Sequence, residues 1–146
     1  MRVPTAFAPD ATVFPARVAI GLGPRPVLVV AAAAALVAGT IGVVRAPAVA
    51  IDPDLVRVIR CMALIKGGLA LAALAACLWR LGRPAAGWRR FAYVAGPPSM
   101  LGGAVALWSL HGVGLAALGL HLGLFGVLAA GLTDPAFFDG WRRRRA

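Results

Sequence analysis

Three long apolar stretches dominate this chain, at residues 27–44, 61–79 and 91–132. The first and third carry no charged residue, and the second carries only Lys66. A membrane-spanning helix needs about 20 mainly apolar residues at a rise of about 1.5 Å per residue. The third stretch, with 42 residues, is long enough for two spans, so it either folds back on itself or forms one very long helix.

The composition supports the same class. Of the 146 residues, 61 % are hydrophobic and 14 % are charged, and the mean hydropathy is +0.86. Soluble domains contain roughly 45–50 % apolar and about 25 % charged residues. We therefore expect an all-α, multi-pass membrane protein that forms one membrane domain over residues 1–146.

The third stretch has one flexible and polar point near its middle. Gly112 and Gly114 flank Val113 directly after His111. A turn there divides the stretch into two spans and predicts a four-transmembrane-helix bundle. The predicted spans are 27–44, 55–79, 91–110 and 114–132.

The arginines predict the orientation, because short cytoplasmic loops are enriched in Lys and Arg. With four spans, the ends 1–26 and 133–146 and the loop around 80–90 share one side and hold eleven arginines. The opposite side holds three arginines and two aspartates. Both termini are therefore expected in the cytoplasm. Arginine far outnumbers lysine and glutamate is absent, which favours a bacterial inner membrane protein.

Local signals agree with these spans. Trp79, Trp88, Trp108 and Trp141 fall at predicted span ends, where amphipathic rings occupy the headgroup region. Asp52-Pro53-Asp54 combines an acidic cap with an early proline, so the second helix is expected to begin near Leu55.

A signal-peptidase pattern, Ala48-Val49-Ala50, follows the first span. The 18-residue apolar run before it is longer than the core of about 7–15 residues in a typical signal peptide. We expect the first span to be retained; cleavage after Ala50 is the alternative and would leave three spans.

Pro97 and Pro98 lie six residues inside the third predicted span. Proline removes a backbone donor and clashes with the preceding turn, so a kink or a helix break is expected there. The carbonyl groups freed in this way need new partners in a membrane, and the hydroxyl of Ser99 is a candidate.

The sequence lacks the usual chemical groups of an enzyme. All five aspartates lie outside the apolar stretches, and no spacing typical of metal ligands or of a nucleophile motif occurs. No catalytic residue, metal or cofactor is therefore predicted. The basic tail of Arg142, Arg143, Arg144 and Arg145 indicates a lipid-surface anchor or a topology determinant and not a nucleic-acid site.

The two histidines raise the alternative of haem b. His111 lies near the end of the hairpin, whereas His121 lies inside the fourth span. The two therefore differ in depth by about 10 Å or more and cannot share one iron. Met100 is expected nearer to the depth of His121, so a His121–Met100 pair is the remaining haem hypothesis.

Lys66 is the only charge inside a predicted span, and ionisable groups at membrane depth mark functional sites by default. One hypothesis places Lys66 and His121 together in the bundle interior, in a polar spot with Ser99 and Met100 beside Pro97 and Pro98. In the other, the long Lys66 stem extends toward the headgroups, since Arg60 is only about 9 Å away along the helix.

These observations predict a non-catalytic accessory, assembly or scaffold subunit of a membrane complex, with the lipid bilayer and other membrane subunits as partners. The alternatives are a redox anchor that binds haem b or quinone and a carrier of small solutes.

Overall fold

A computed structural model describes residues 23–45, 52–110 and 112–137, without the side chains of 42–45. This part of the chain is helical and contains no strand. Its four helices are α1 (Pro24–Arg45), α2 (Pro53–Arg80), α3 (Gly87–Trp108) and α4 (Val113–Leu132). Their bounds lie within a few residues of the four predicted spans.

The third apolar stretch folds back on itself as predicted. α3 ends at Trp108 and α4 begins at Val113, so the alternative of one long helix is wrong. The turn has a left-handed backbone at Leu110 (φ 59°) and at Gly112 (φ 52°). Glycine adopts this conformation without steric cost, whereas Leu110 is held in it by the short connection.

The predicted start of the second helix is also confirmed. The Asp52 carboxylate accepts a hydrogen bond from the backbone N–H of Asp54 at 2.9 Å, and Pro53 is the first helical residue. The cap satisfies a donor that the first turn would otherwise leave unpaired.

Among the described residues, three helices are long and apolar enough to cross a membrane: α1 over Pro24–Ile41, the whole of α2 and the whole of α4. The chain is therefore an integral membrane protein by the length and composition of its helices. α3 does not meet the same criterion, because Arg89 and Arg90, Tyr93 and the sequence Gly96-Pro97-Pro98-Ser99 lie inside it.

α3 is the central helix and packs against each of the other three, whereas α1 and α2 scarcely touch. Its buried residues recur every three or four positions along one stripe: Tyr93, Gly96, Pro97, Met100, Leu101, Gly103, Ala104 and Leu107. The helices alternate in direction, since the start of α1 meets the end of α2, where Arg25 Nε donates to the Leu78 carbonyl at 3.0 Å. Three parts of the chain thus lie together at one end of the molecule, which we call the arginine end: the start of α1, the α2–α3 connection and the residues after α4.

Close backbone approach at glycines holds α3 against α4. A Cβ atom on Gly103 would lie 2.6 Å from the Ala116 carbonyl oxygen, and one on Gly123 would lie 2.6 Å from the Gly96 carbonyl oxygen. Small residues of this kind let membrane helices associate through dense packing. The Gly123 position also faces Met100, so Met100 lies near the depth of His121, as predicted.

Of the kink and the helix break expected at Pro97-Pro98, the break is wrong, because α3 continues as a helix through both prolines. The two prolines leave two carbonyl groups of the preceding turn without their usual partners. Ser99 Oγ donates to the carbonyl of the next residue, Ala95, at 2.9 Å. Pro97 is fully buried in the packing of α3, which holds the helix together across the missing bonds.

The surface of the helices is apolar and their ends carry tryptophan. Exposed side chains include Val30, Ile65, Leu115 and Phe125, as expected for contact with lipid. Trp79 and Trp88 are exposed at the arginine end, and Trp108 is exposed at the other, where the Arg60 guanidinium lies 5.4 Å from its ring centre. Four features of the sequence lie outside the described residues: the Ala48-Val49-Ala50 pattern of the alternative cleavage, His111, Trp141 and the tail Arg142 to Arg145.

We predict that Gly103→Ala destabilises the protein, because the added methyl group meets the backbone of α4. Overpacking of this kind costs about 1–3 kcal/mol. Gly114→Ala is the matched control, since a Cβ there meets no atom within 4 Å. Thermal unfolding in detergent measures both, and equal melting temperatures for the two variants would contradict the α3–α4 contact.

Candidate functional site

A buried ion pair at the arginine end joins three separate parts of the chain. Arg80 is the last residue of α2, Tyr93 lies in the second turn of α3 and Asp134 follows α4. The exposed fractions are 2 % for Arg80, 2 % for Asp134 and 0 % for Tyr93. We call these three residues the Asp134 cluster.

The Asp134 carboxylate accepts four hydrogen bonds. Arg80 donates two, from Nε to Oδ2 at 2.7 Å and from Nη2 to Oδ1 at 3.0 Å. The Tyr93 hydroxyl donates to Oδ2 at 3.1 Å, and the backbone N–H of Ala136 donates to Oδ1 at 3.2 Å. Both carboxylate oxygens are therefore paired, in the two-pronged geometry that arginine forms best.

Arg80 also forms hydrogen bonds with the loop that connects α2 and α3. Its Nη1 donates to the Arg83 carbonyl and its Nη2 to the Pro84 carbonyl, each at 3.2 Å. Arg83 Nη1 in turn donates to the Ala136 carbonyl at 3.3 Å. The loop after α2 and the segment after α4 are thus tied to each other as well as to Asp134.

Aromatic rings surround the ion pair. The Phe137 ring centre lies 6.1 Å from that of Trp79 and 6.4 Å from that of Tyr93. The Arg83 guanidinium lies 4.8 Å from the Trp79 ring centre. The rings exclude water from the ion pair, which strengthens its hydrogen bonds and raises the cost of breaking them.

Asp134 remains ionised in this setting. Burial by itself would raise the pKa of Asp134, but the hydrogen bonds from Arg80 and Tyr93 and the charge of Arg80 outweigh burial and hold this pKa below its ordinary value. A second cation lies near, since Arg89 Nη1 is 4.0 Å from Oδ1. Arg89 Nε is buried and makes no hydrogen bond with the described residues.

The arrangement suits a structural role. A carboxylate with four donors has no acceptor position left for a substrate, and its lowered pKa makes it a poor proton acceptor near neutral pH. Removal of one partner would leave a buried charge without compensation. The Asp134 cluster therefore holds the end of α2, the start of α3 and the segment after α4 together.

The structure does not join the residues of the predicted polar spot. Lys66 is half-buried on α2 and makes no hydrogen bond or ion pair with the described residues. The His121 side chain is exposed on α4, with Nδ1 2.6 Å from the Ala117 carbonyl oxygen, and so does not face the bundle interior. Ser99 is exposed and bonded to Ala95, whereas Met100 is fully buried.

The haem hypothesis depends on two of these side chains, those of His121 and Met100, as ligands of one iron. Met100 is packed in a core cluster with Ala32, Ala70 and Leu101, and the His121 ring stands outside that core, 6.2 Å from the Phe125 ring centre. In the described part of the chain, no three His, Cys, Asp or Glu side chains come together in a way that could hold a metal ion.

Sequence reasoning assigned Arg80 to the topology signal and gave Asp134 and Tyr93 no role. One signal was present, because the four-span arrangement puts Asp134 on the side that holds eleven arginines, directly after a span.

No known protein family, curated protein or solved structure matches this chain.

We predict that Asp134→Asn lowers the free energy of unfolding by about 3–5 kcal/mol, because Arg80 then stays buried without its counter-ion. Tyr93→Phe removes one hydrogen bond and costs about 1 kcal/mol. Asp54→Asn is the control, since Asp54 pairs with Arg57 on the exposed surface. Denaturation in mild detergent compares the three variants, and an Asp134→Asn protein as stable as Asp54→Asn would contradict the structural role of the Asp134 cluster.

Proposed function

We propose that the chain is a multi-pass protein of the bacterial inner membrane that serves as a non-catalytic accessory, assembly or scaffold subunit. All four helices cross the membrane in this proposal, and both termini lie in the cytoplasm. The length of α3 supports its inclusion, since its uncharged part, 91–108, has 18 residues, within the range of about 17–25 for a spanning helix, and rises about 27 Å. Its less apolar residues include Tyr93 and Pro97, which are buried against the other helices and not turned to lipid.

Cysteine labelling tests this topology. With Cys61 and Cys77 replaced by serine, single cysteines at Ala86, Gly114 and Ala146 are offered a membrane-impermeant maleimide in intact cells and in lysed cells. We expect labelling at 114 in intact cells, and at 86 and 146 only after lysis. If α3 does not cross, positions 86 and 114 react from the same side.

The observation that carries the subunit proposal is a groove between α1 and α2. Both helices pack on α3 but scarcely touch each other, and the space between them measures about 430 Å³. Its floor contains Leu101 and Ala104 of α3, and one wall contains Gly67 and Gly68 of α2. A Cβ atom on Gly68 would meet nothing within 4 Å.

Such a groove suits a transmembrane helix of another subunit. Membrane helices associate where small residues let the backbones come close, and Gly67-Gly68 offers such a place. Lys66 precedes these glycines in the sequence but is not among the residues that line the groove.

Site-specific crosslinking tests the groove. A photoreactive residue in place of Leu71, which lines the groove, is expected to give one discrete protein adduct in the native membrane. The same residue in place of Leu115, which is exposed on α4, is the control and should give none. Gly68→Leu places a side chain in the groove, where an added Cβ atom meets nothing within 4 Å, and should abolish the adduct, whereas Gly114→Leu should leave it. Absence of a protein adduct at 71, or an adduct that survives Gly68→Leu, would refute the proposal.

A further inference from the structure

A second groove lies at the arginine end, between the first turns of α1 and α3. It measures about 370 Å³ and is lined by Pro24, Val27, Gly87, Arg90, Phe91 and Val94. Arg90 is the one charged residue of this lining and lies in the first turn of α3, at the end of the groove that we call its mouth, whereas Val27, Phe91 and Val94 are apolar. This volume lies in the range of about 300–1,000 Å³ that is common for small-ligand sites.

Arg90 is available for a ligand. Its side chain is exposed and makes no hydrogen bond or ion pair with any described residue. Its neighbours at this end are engaged elsewhere: Arg80 binds Asp134, Arg83 binds the Ala136 carbonyl, and Arg25 binds the Leu78 carbonyl. Asp134 is the only acidic residue described at this end, and Arg80 already neutralises it.

The backbone adds to the positive potential at the mouth. Pro24 and Gly87 are the first residues of α1 and α3 and both line the groove, so the positive ends of two helix dipoles lie at this end of it. α3 has no side-chain cap at Ala86, which leaves the N–H groups of its first turn without a side-chain partner. Anions bind favourably at such helix starts.

We propose that this groove binds one anionic phospholipid of the adjacent leaflet, with the phosphate at Arg90 and an acyl chain along Val27, Phe91 and Val94. The charge of the mouth selects a negative headgroup over a zwitterionic one. The apolar lining below it requires a hydrocarbon chain attached to that headgroup, which a free phosphate lacks. Basic pockets between membrane helices bind acidic lipids by the same combination of forces.

Lipid titration of the purified full-length chain in detergent tests the proposal. No other protein is present, so the result does not depend on the proposed subunit role. Native mass spectrometry is expected to show one bound phosphatidylglycerol that is retained more strongly than phosphatidylcholine with the same acyl chains. Arg90→Gln should weaken phosphatidylglycerol binding roughly fivefold, as loss of one basic contact at a membrane surface predicts. Arg57→Gln, which removes an equal charge at the opposite end, should leave binding unchanged.

A second pair of variants tests the groove independently of its charge. A Cβ atom on Gly87, which lines the groove, would meet nothing within 4 Å, so Gly87→Leu places a side chain in the groove and should weaken binding, whereas Gly114→Leu should not. Glycerol 3-phosphate, a headgroup without acyl chains, should not displace the lipid. Equal retention of the two lipids, equal effects of Arg90→Gln and Arg57→Gln, or displacement by glycerol 3-phosphate would each overturn the proposal.

Discussion

The carboxylate of Asp134 holds the arginine end of the molecule together. It receives hydrogen bonds from the last residue of α2, from the second turn of α3 and from the segment after α4. A charge is stable at such a buried place only when its hydrogen-bonding positions are filled and a counter-ion is in contact. The pair meets both conditions. The connection between α2 and α3 depends on it too, because Arg80 also binds two carbonyls of that loop.

Away from this end, the helices are held by shape and not by charge. α3 lies against the other three helices, and its closest approach to α4 is made at Gly96, Gly103 and Gly123. Because one face of α3 packs on protein and not on lipid, this helix tolerates a buried tyrosine and two prolines that a lipid-exposed helix would carry at greater cost. Its lower hydropathy is a result of its central position.

The two ends of the molecule differ, and the two proposals follow from this difference. At the arginine end, a hydrogen bond from Arg25 to the Leu78 carbonyl joins α1 to α2, and Arg90 lines the groove between α1 and α3. Farther along the helices, a groove lies between α1 and α2, with Leu101 and Ala104 of α3 at its floor and Gly67 and Gly68 on one wall. A lipid at the first place would stabilise the chain itself, whereas a helix at the second would connect it to another subunit.

The sequence by itself determined the membrane class, the four helices, the turn near Gly112 and the Asp52 cap. Each of these depends on composition or on residues a few positions apart, where local physics decides. Only the tertiary structure revealed the Asp134 cluster, whose members are 54 and 41 residues apart. It also placed His121 outside the bundle and kept α3 continuous through Pro97. The reason is the same in each case: the rotation of a helix about its axis, and hence which side chains meet, is set by packing against other helices, which a nearly uniform apolar sequence does not specify.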